Sequence, residues 1–415
     1  VSVYLEAFQA TGSTLYAQVA RETLDYVLRD LSTPEGGFCS SEDADSEGKE
    51  GTLYLWSRKG IDEVLGKEDA NVFCTLYNIT EDGNFASHES YHRGLNIPHR
   101  TEATLSEEGL QTLITEMKAR LFSARNHRTR PGRDDKILTS WNALMISAFA
   151  RGAQILQEQQ YLVATQKAAG FLLDQMLDKG ILHHSFRSGQ RRVRGILDDY
   201  AFLVAALIDL YEADFNPVWL ERAVQIADTM ILEFSEGAHP GFLLSPKSET
   251  GLIARARPFH DGAEPSGNAV AVHALLRLGI LLDRDDYWKR GKDIIESVWT
   301  DMKRMPQAFF RMLSAADYLL AKRSEVVIVG NPADPRTHSL LVVLRQSFLP
   351  HTIVALKDPE NGSSAEVRIP LLRGKSMVDG KPAAYVCTGS ACRTPVTTPE
   401  SLHNLLEELR EGYDS

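Results

Sequence analysis

The chain has 415 residues, 43% of them hydrophobic and 24% charged, with a formal net charge of −11. These are the proportions of a soluble globular protein long enough for one large core and a smaller domain. The acidic balance argues against a nucleic-acid binder, which normally shows a basic face. The apolar run AFLVAALIDLY is broken by Asp209, so no stretch reads as a membrane span.

The four cysteines (Cys39, Cys74, Cys387 and Cys392) are too few for a disulfide framework, which suits a reducing, cytoplasmic location. Cys387 and Cys392 lack the second pair or nearby histidine of a zinc site and read as ordinary thiols. Neither a metal nor a cofactor is expected.

From Val3 the chain reads as an apolar helix, a short polar turn and an amphipathic helix opened by Tyr16, closing on Gly37-Phe38. The same plan returns from Leu144, Leu203 and Ala271, with Tyr161, Trp219 and Trp288 opening the second helices. Gly180-Ile181 and Gly241-Phe242 close two of these later repeats. ALMISAFARGAQIL and AVAVHALLRLGILL are apolar around most of their circumference, whereas WLERAVQIADTMILEF has one apolar stripe. The first type fits an inner position and the second an outer one. A repeated inner–outer hairpin of roughly 50 residues implies an array that stacks or closes. With EGLQTLITEMKARLFSAR as further helix, residues 1–322 are expected to form an α/α toroid of five or six hairpins, a mainly α fold. In residues 323–415 the β-branched runs EVVIVG and TIVALK flank a helical segment, and AAYVC precedes a helix that Thr398 caps and Pro399 opens. That pattern gives a small C-terminal α/β unit.

Between the first two repeats, SSEDADSEGKEG packs five carboxylates into twelve residues. Asp43, Asp45, Glu47 and Gly48 imitate the start of a calcium loop, but the twelfth position counted from Asp43 is Tyr54 in place of the required glutamate. The other connections from an outer helix to the next inner helix are also strongly charged, so all are expected on one rim. Asp134-Asp135, Asp198-Asp199 and Asp261 with Glu264 sit at helix starts there. Carboxylates in such positions cap helices, yet acids facing a common cavity also suit carbohydrate cleavage, which needs two across a cleft. Asp199 and Glu264 are the leading acid/base pair, with Asp43, Asp45 and Asp135 as supporting acids. Arg133, His260 and Asp261 are candidate polar contacts, together with Asn142 and Asn268. Trp56, Trp141 and Tyr200 are candidate stacking faces for a sugar. His183 and His184 lie on a rim loop where a base could act. No G-x-S-x-G elbow is present, which argues against a serine hydrolase.

The stretches GGFCSSEDADSEGKEGTLYLW, HRTRPGRDDKILTSWNALM, LDDYAFLVAALIDLYEAD, DGAEPSGNAVAVHALLRL and AAYVCTGSACRTPVTTPESL carry a resemblance over essentially the whole chain. They resemble the spermatogenesis-associated, thioredoxin-domain-containing family, which includes bacterial YyaL-type proteins. That resemblance implies a six-hairpin, glycosidase-like toroid with its C-terminal tail, and a thioredoxin-like domain as partner upstream in full-length relatives. It also marks Asp43 and Asp45 as candidate site residues. The expected function is a carbohydrate-active enzyme, hydrolase-like or epimerase-like, binding a sugar or other polyhydroxylated ligand at the toroid mouth. The competing expectation is a non-catalytic, partner-binding scaffold. Calcium titration should leave the melting temperature unchanged, since the loop at Asp43 lacks its twelfth-position carboxylate; a rise that disappears in Asp45→Ala would contradict this.

Overall fold

The structure, a computed structural model, describes residues 1–86, 88–100, 108–360, 366–389 and 391–411. It divides into two compact units, one formed by residues 1–40 with 136–415 and the other by residues 41–135. The chain opens the first unit with α1 (Ser2–Thr11) and α2 (Thr14–Tyr26). The second unit holds α3 (Arg58–Leu65), α4 (Lys67–Leu76) and α5 (Glu108–Arg125). Back in the first unit come α6 (Thr139–Leu156), α7 (Gln159–Phe171), α8 (Leu197–Asp214) and α9 (Pro217–Phe234). They are followed by α10 (Gly267–Leu282), α11 (Asp285–Arg304) and α12 (Phe310–Leu320).

In the first unit α1, α6, α8, α10 and α12 pack each against the next as inner helices, and α2, α7, α9 and α11 back their own inner partners. This succession is an α/α toroid architecture. Burial follows the expected difference between helix types. α8 is buried on nearly every side, whereas α9 buries one stripe of Leu220, Ala223, Ile226, Ala227, Met230 and Phe234. The outer helices are also latched to one another. The Tyr161 hydroxyl on α7 donates to Asp25 on α2 at 2.7 Å, and that of Tyr287 on α11 donates to Asp228 on α9 at 2.6 Å. Tyr287, rather than its neighbour Trp288, is thus the counterpart of Tyr161.

All four sequence repeats appear as hairpins of the first unit. The further helix expected to add to that array, Glu108–Arg125, instead packs in the second unit, where Met117 and Leu121 join Ile61 and Phe73 in a separate core. The rim loop after Gly180 is a β-hairpin, Ile181–Arg187 paired with Gln190–Arg194. Ser188 and Gly189 turn it with φ of 51° and 75°, the positive values a tight hairpin turn requires.

The connection from outer to inner helix is secured by one device used twice. Asn142 on α6 accepts from the Phe38 N–H at 2.7 Å and donates to the Phe38 carbonyl at 2.9 Å. Asn268 on α10 does the same to Phe242, at 2.7 and 2.9 Å. The equivalent residue of α8, Tyr200, accepts from the Leu182 N–H at 2.9 Å. These side chains satisfy the backbone where each Gly-apolar pair passes the start of the next inner helix.

The C-terminal sheet runs in the order Thr352–Lys357, Ser324–Val329, Ala383–Thr388, Ala391–Cys392, with the first pair parallel and the others antiparallel. α13 (Pro335–Gln346) and the closing helix Pro399–Glu411 cover one face through Leu340, Leu344, Leu402 and Leu406. Val327, Val329, Ile353 and Ala355 on the other face join the toroid core. Cys387 and Cys392, expected as thiols, lie opposite one another across two strands and form a disulfide. No helix among the described residues is long and apolar enough to cross a membrane. Asn268→Ala strands the buried Phe242 N–H and should lower the unfolding free energy by about 2–4 kcal/mol in urea denaturation; a loss below about 0.5 kcal/mol would show that the clamp holds nothing.

Candidate functional site

In the first unit a polar cluster forms where α6, α8 and α10 begin. The turn into α8 needs a side-chain acceptor for its first N–H groups, and Asp199 supplies it, accepting from the Ile196 N–H at 2.9 Å. Its other oxygen reaches the start of α6, accepting from the Ser140 N–H at 3.0 Å. His184, on the β-hairpin, turns Nδ1 onto the same carboxylate at 3.0 and 3.2 Å. An ionised carboxylate only accepts, so Nδ1 carries the proton and Nε2 points away from Asp199. The Asp199 hydrogen bond raises the affinity of His184 for its second proton above the ordinary histidine value. Burial pushes the Asp199 carboxyl upward, opposed by its bonds from His184, Ile196 and Ser140. Fully buried and saturated with donors, Asp199 positions other groups.

Its neighbour Asp198 is placed differently. It is half-buried over the start of α10, so close that a Cβ added to Gly267 would meet its Oδ1 at 2.0 Å. Glycine is required there for approach rather than for backbone freedom. Oδ1 of Asp198 is buried with no hydrogen-bond partner among the described residues. Burial, followed by the charges of Asp199 and Glu264, raises its pKa from 3.8 to about 6. Such a carboxyl keeps its proton far longer than an exposed one.

Glu264 lies on the loop before α10 and accepts from Trp141 Nε1 at 2.5 Å. The Trp141 indole, from the first turn of α6, is 41% exposed. Asp261 is spent on structure: it accepts from the Ser266 N–H at 2.9 Å and the Arg311 N–H at 2.8 Å, joining the starts of α10 and α12. His260 is exposed, with its ring edge against Phe309 at 4.8 Å. Asn142, Tyr200 and Asn268 are buried in the backbone clamps. His183 lies beside His184 and has its carbonyl fixed by Thr139 Oγ1 at 2.6 Å.

The remaining expected residues belong to the second unit. Asp43 and Asp45 are exposed on a short hairpin that pairs Asp45 with Glu50, and Asp43 Oδ1 accepts from the Asp45 N–H at 3.3 Å. Arg133 and Asp135 are exposed. Trp56 is core, covered by the Arg128 guanidinium 3.9 Å from its ring centre. Among the described residues, no group of three or more histidine, cysteine or carboxylate side chains is placed to hold a metal ion.

The cluster within the first unit thus joins Asp199, Glu264 and Trp141 with two residues not singled out at the outset as its centre, Asp198 and His184. The doubled acid Asp198-Asp199 was the available signal, but sequence does not reveal which member is consumed as a cap.

The chain is similar to spermatogenesis-associated protein 20. It is 31% identical to the Homo sapiens protein over 440 residues, covering 97% of this chain and 56% of that protein. The Rattus norvegicus protein is 30% identical, with 98% and 56% covered. The chain therefore spans 56% of the length of these relatives. No family model matches it. Among solved structures it is similar to a sugar epimerase from a ruminal bacterium, with TM-score 0.37, 12% identity and 67% of this chain and 71% of that one covered. It is also similar to cellobiose 2-epimerase from Bacillus thermoamylovorans, with TM-score 0.35, 12% identity and 69% and 72% covered.

Asp198 holds its proton more tightly when folded, at about 6, than in the unfolded chain, at 3.8. Its contribution to stability is complete below about pH 4 and is lost as pH rises through about 6. Asp198→Asn cannot ionise and escapes that loss, so it should be more stable than the parent by about 1–3 kcal/mol at about pH 8 and no more stable at about pH 4. Denaturation curves at the two pH values test this, and a variant less stable at both would contradict it.

Proposed function

We propose that the first unit is an acid–base enzyme acting on a saccharide, glycoside hydrolase-like in its chemistry. The observation that carries this reading is the placement of Asp198, half-buried over the start of α10 with its Oδ1 lacking a hydrogen-bond partner among the described residues and within electrostatic reach of a second acid, Glu264. Hydrolysis of a glycosidic bond needs one carboxylic acid to protonate the leaving oxygen and one carboxylate to activate water or attack the sugar. Asp198 takes the first role and Glu264 the second. The exposed Trp141 ring, anchored to Glu264 through its N–H, offers a face for a sugar ring beside the acid. Asp199 and His184 hold the cluster's geometry.

A scaffold would spend its rim acids on arginine pairs and helix caps. Asp199 and Asp261 are spent as caps and the Gly267 N–H at the start of α10 also favours the Asp198 charge, but among the described residues neither Asp198 nor Glu264 has an arginine partner. The His184–Asp199 pair favours a second reading, epimerisation, in which His184 Nε2 removes a proton next to a sugar carbonyl. The two chemistries differ in product: one cleaves a glycoside, the other inverts a centre in a reducing sugar.

A panel of glycosides and reducing sugars assayed with the parent protein, Asp198→Asn and Glu264→Gln separates these outcomes. Each variant is expected to lose about 10²–10⁴-fold in kcat, and the parent's rate should fall as pH rises through about 6. Absence of turnover by the parent on every substrate, with both variants binding the same sugars equally well, overturns the enzymatic reading.

A further inference from the structure

We infer that Val193 is a specificity-determining contact of this site, holding the apolar C–H face of a sugar ring beside His184. The inference rests on the saccharide reading above and deepens it by naming a residue that selects the ligand. In the hairpin of Ile181–Arg187 with Gln190–Arg194, Arg192 is opposite Ser185 and Arg194 is opposite His183, which sets Val193 across from His184. His184 is bonded to Asp199, and Asp199 accepts from the Ser140 N–H. The next residue, Trp141, is bonded to Glu264. Val193 thus begins an unbroken succession of paired residues that runs through His184 to Trp141 and the proposed carboxylate. The His184 side chain is 30% exposed while that of Asp199 is fully buried, so the ring keeps a side open to a ligand.

The backbone of Val193 has a φ of 58°, in the left-handed region that branched side chains avoid. Eight other non-glycine residues among those described have positive φ, and each has an ordinary reason. Gln157, Phe215 and Asp283 end α6, α8 and α10 as left-handed caps, and the other five lie in turns. Val193 alone stands within a strand, and it alone is β-branched. With ordinary strand dihedrals its side chain would share the hairpin face of His184, the two Cβ atoms about 4.5–5.5 Å apart. It is instead 66% exposed, so little packing offsets the strain. Gln190–Arg194 is an edge strand, and a kink can guard an edge against pairing. Glycine or asparagine would supply that kink without the strain, which leaves the branched apolar side chain to be explained. Strained residues gather at ligand clamps, where the bound molecule supplies the missing contact. Ligand sites are largely apolar with a few placed polar groups, and a valine beside a histidine and two acids fits a sugar's C–H face in that way.

Calorimetric titration and steady-state kinetics should use glucose, mannose, galactose and N-acetylglucosamine together with their methyl glycosides. The proteins are the parent, Val193→Asn, Val193→Gly and Val193→Ile. Asparagine and glycine accept positive φ, so the first two variants should melt at or above the parent's temperature. Both should nonetheless bind the parent's sugar about 5–20-fold more weakly, the loss of one partly buried valine contact. KM should rise with little change in kcat, because the acids are untouched. Val193→Ile, which keeps the branched apolar surface, should keep the parent's affinity. A weaker ligand complex in a protein that is no less stable is a result that a purely structural role does not give. Affinity unchanged in both Val193→Asn and Val193→Gly overturns the inference while leaving the saccharide reading intact. A melting temperature that falls in both does the same, since Val193 would then be a packing residue. No binding or turnover by the parent with any probe overturns both.

Discussion

Three aspartates join the starts of successive inner helices, and the order of the rim depends on them. Asp199 ties α8 to α6 through the Ile196 and Ser140 N–H groups. Asp198 rises from the same turn over the start of α10 at Gly267, and Asp261 ties α10 to α12 through the Ser266 and Arg311 N–H groups. Every helix presents unsatisfied N–H groups and the positive end of its dipole at its start. When several inner helices start at one end, that end concentrates positive potential and unfilled donors. Carboxylates answer both needs, so an acidic rim follows from the architecture before any chemistry is asked of it.

Chemistry becomes possible where this stitching is incomplete. Asp199 and Asp261 use both carboxylate oxygens on donors, which fixes them in place. Asp198 leaves a buried oxygen without a hydrogen-bond partner and sits beside two further acids. Its proton is held because burial and the charges of Asp199 and Glu264 outweigh what His184 and the Gly267 N–H give its ionised form, the same balance that makes it useful as an acid. The Gly267 contact makes the arrangement specific, since any side chain there would displace the carboxylate.

Much of the fold was legible because it follows from periodicity. The wide apolar circumference of α6 and α10 and the single stripe of α9 identified inner and outer helices before their partners were known. The β-branched runs at Glu325 and Thr352 likewise gave the parallel pair. Partnership was not legible. The apolar positions of Glu108–Arg125 suit any core, and only the structure shows Met117 and Leu121 packing with Ile61 and Phe73. The clamps were missed because an asparagine near a helix start carries no mark of the distant backbone it serves; Asn142 and Phe38 are 104 residues apart. Asp198 and Asp199 are adjacent and alike in sequence, and roughly 100° of helical rotation sends one into the α6–α8 seam and the other toward α10. The disulfide was hidden for a similar reason, since a spacing of five residues does not reveal that Cys387 and Cys392 face one another across two strands.

Completeness of pairing separates structural charges from candidate functional ones throughout the inner ring. Arg277, with two carboxylates, and Arg151, with Glu6, are consumed by their partners. Buried polar groups in folded proteins are nearly always satisfied, so an unsatisfied one calls for a reason. Asp198 is such a group. Asp198 retains a proton that can be given away. Glu264 acts electrostatically on Asp198 and is itself held by Trp141 Nε1. A rim built only to hold helices together would not leave a half-buried acid incomplete within electrostatic reach of a second one. A ligand that completes Asp198 must bring it a proton acceptor.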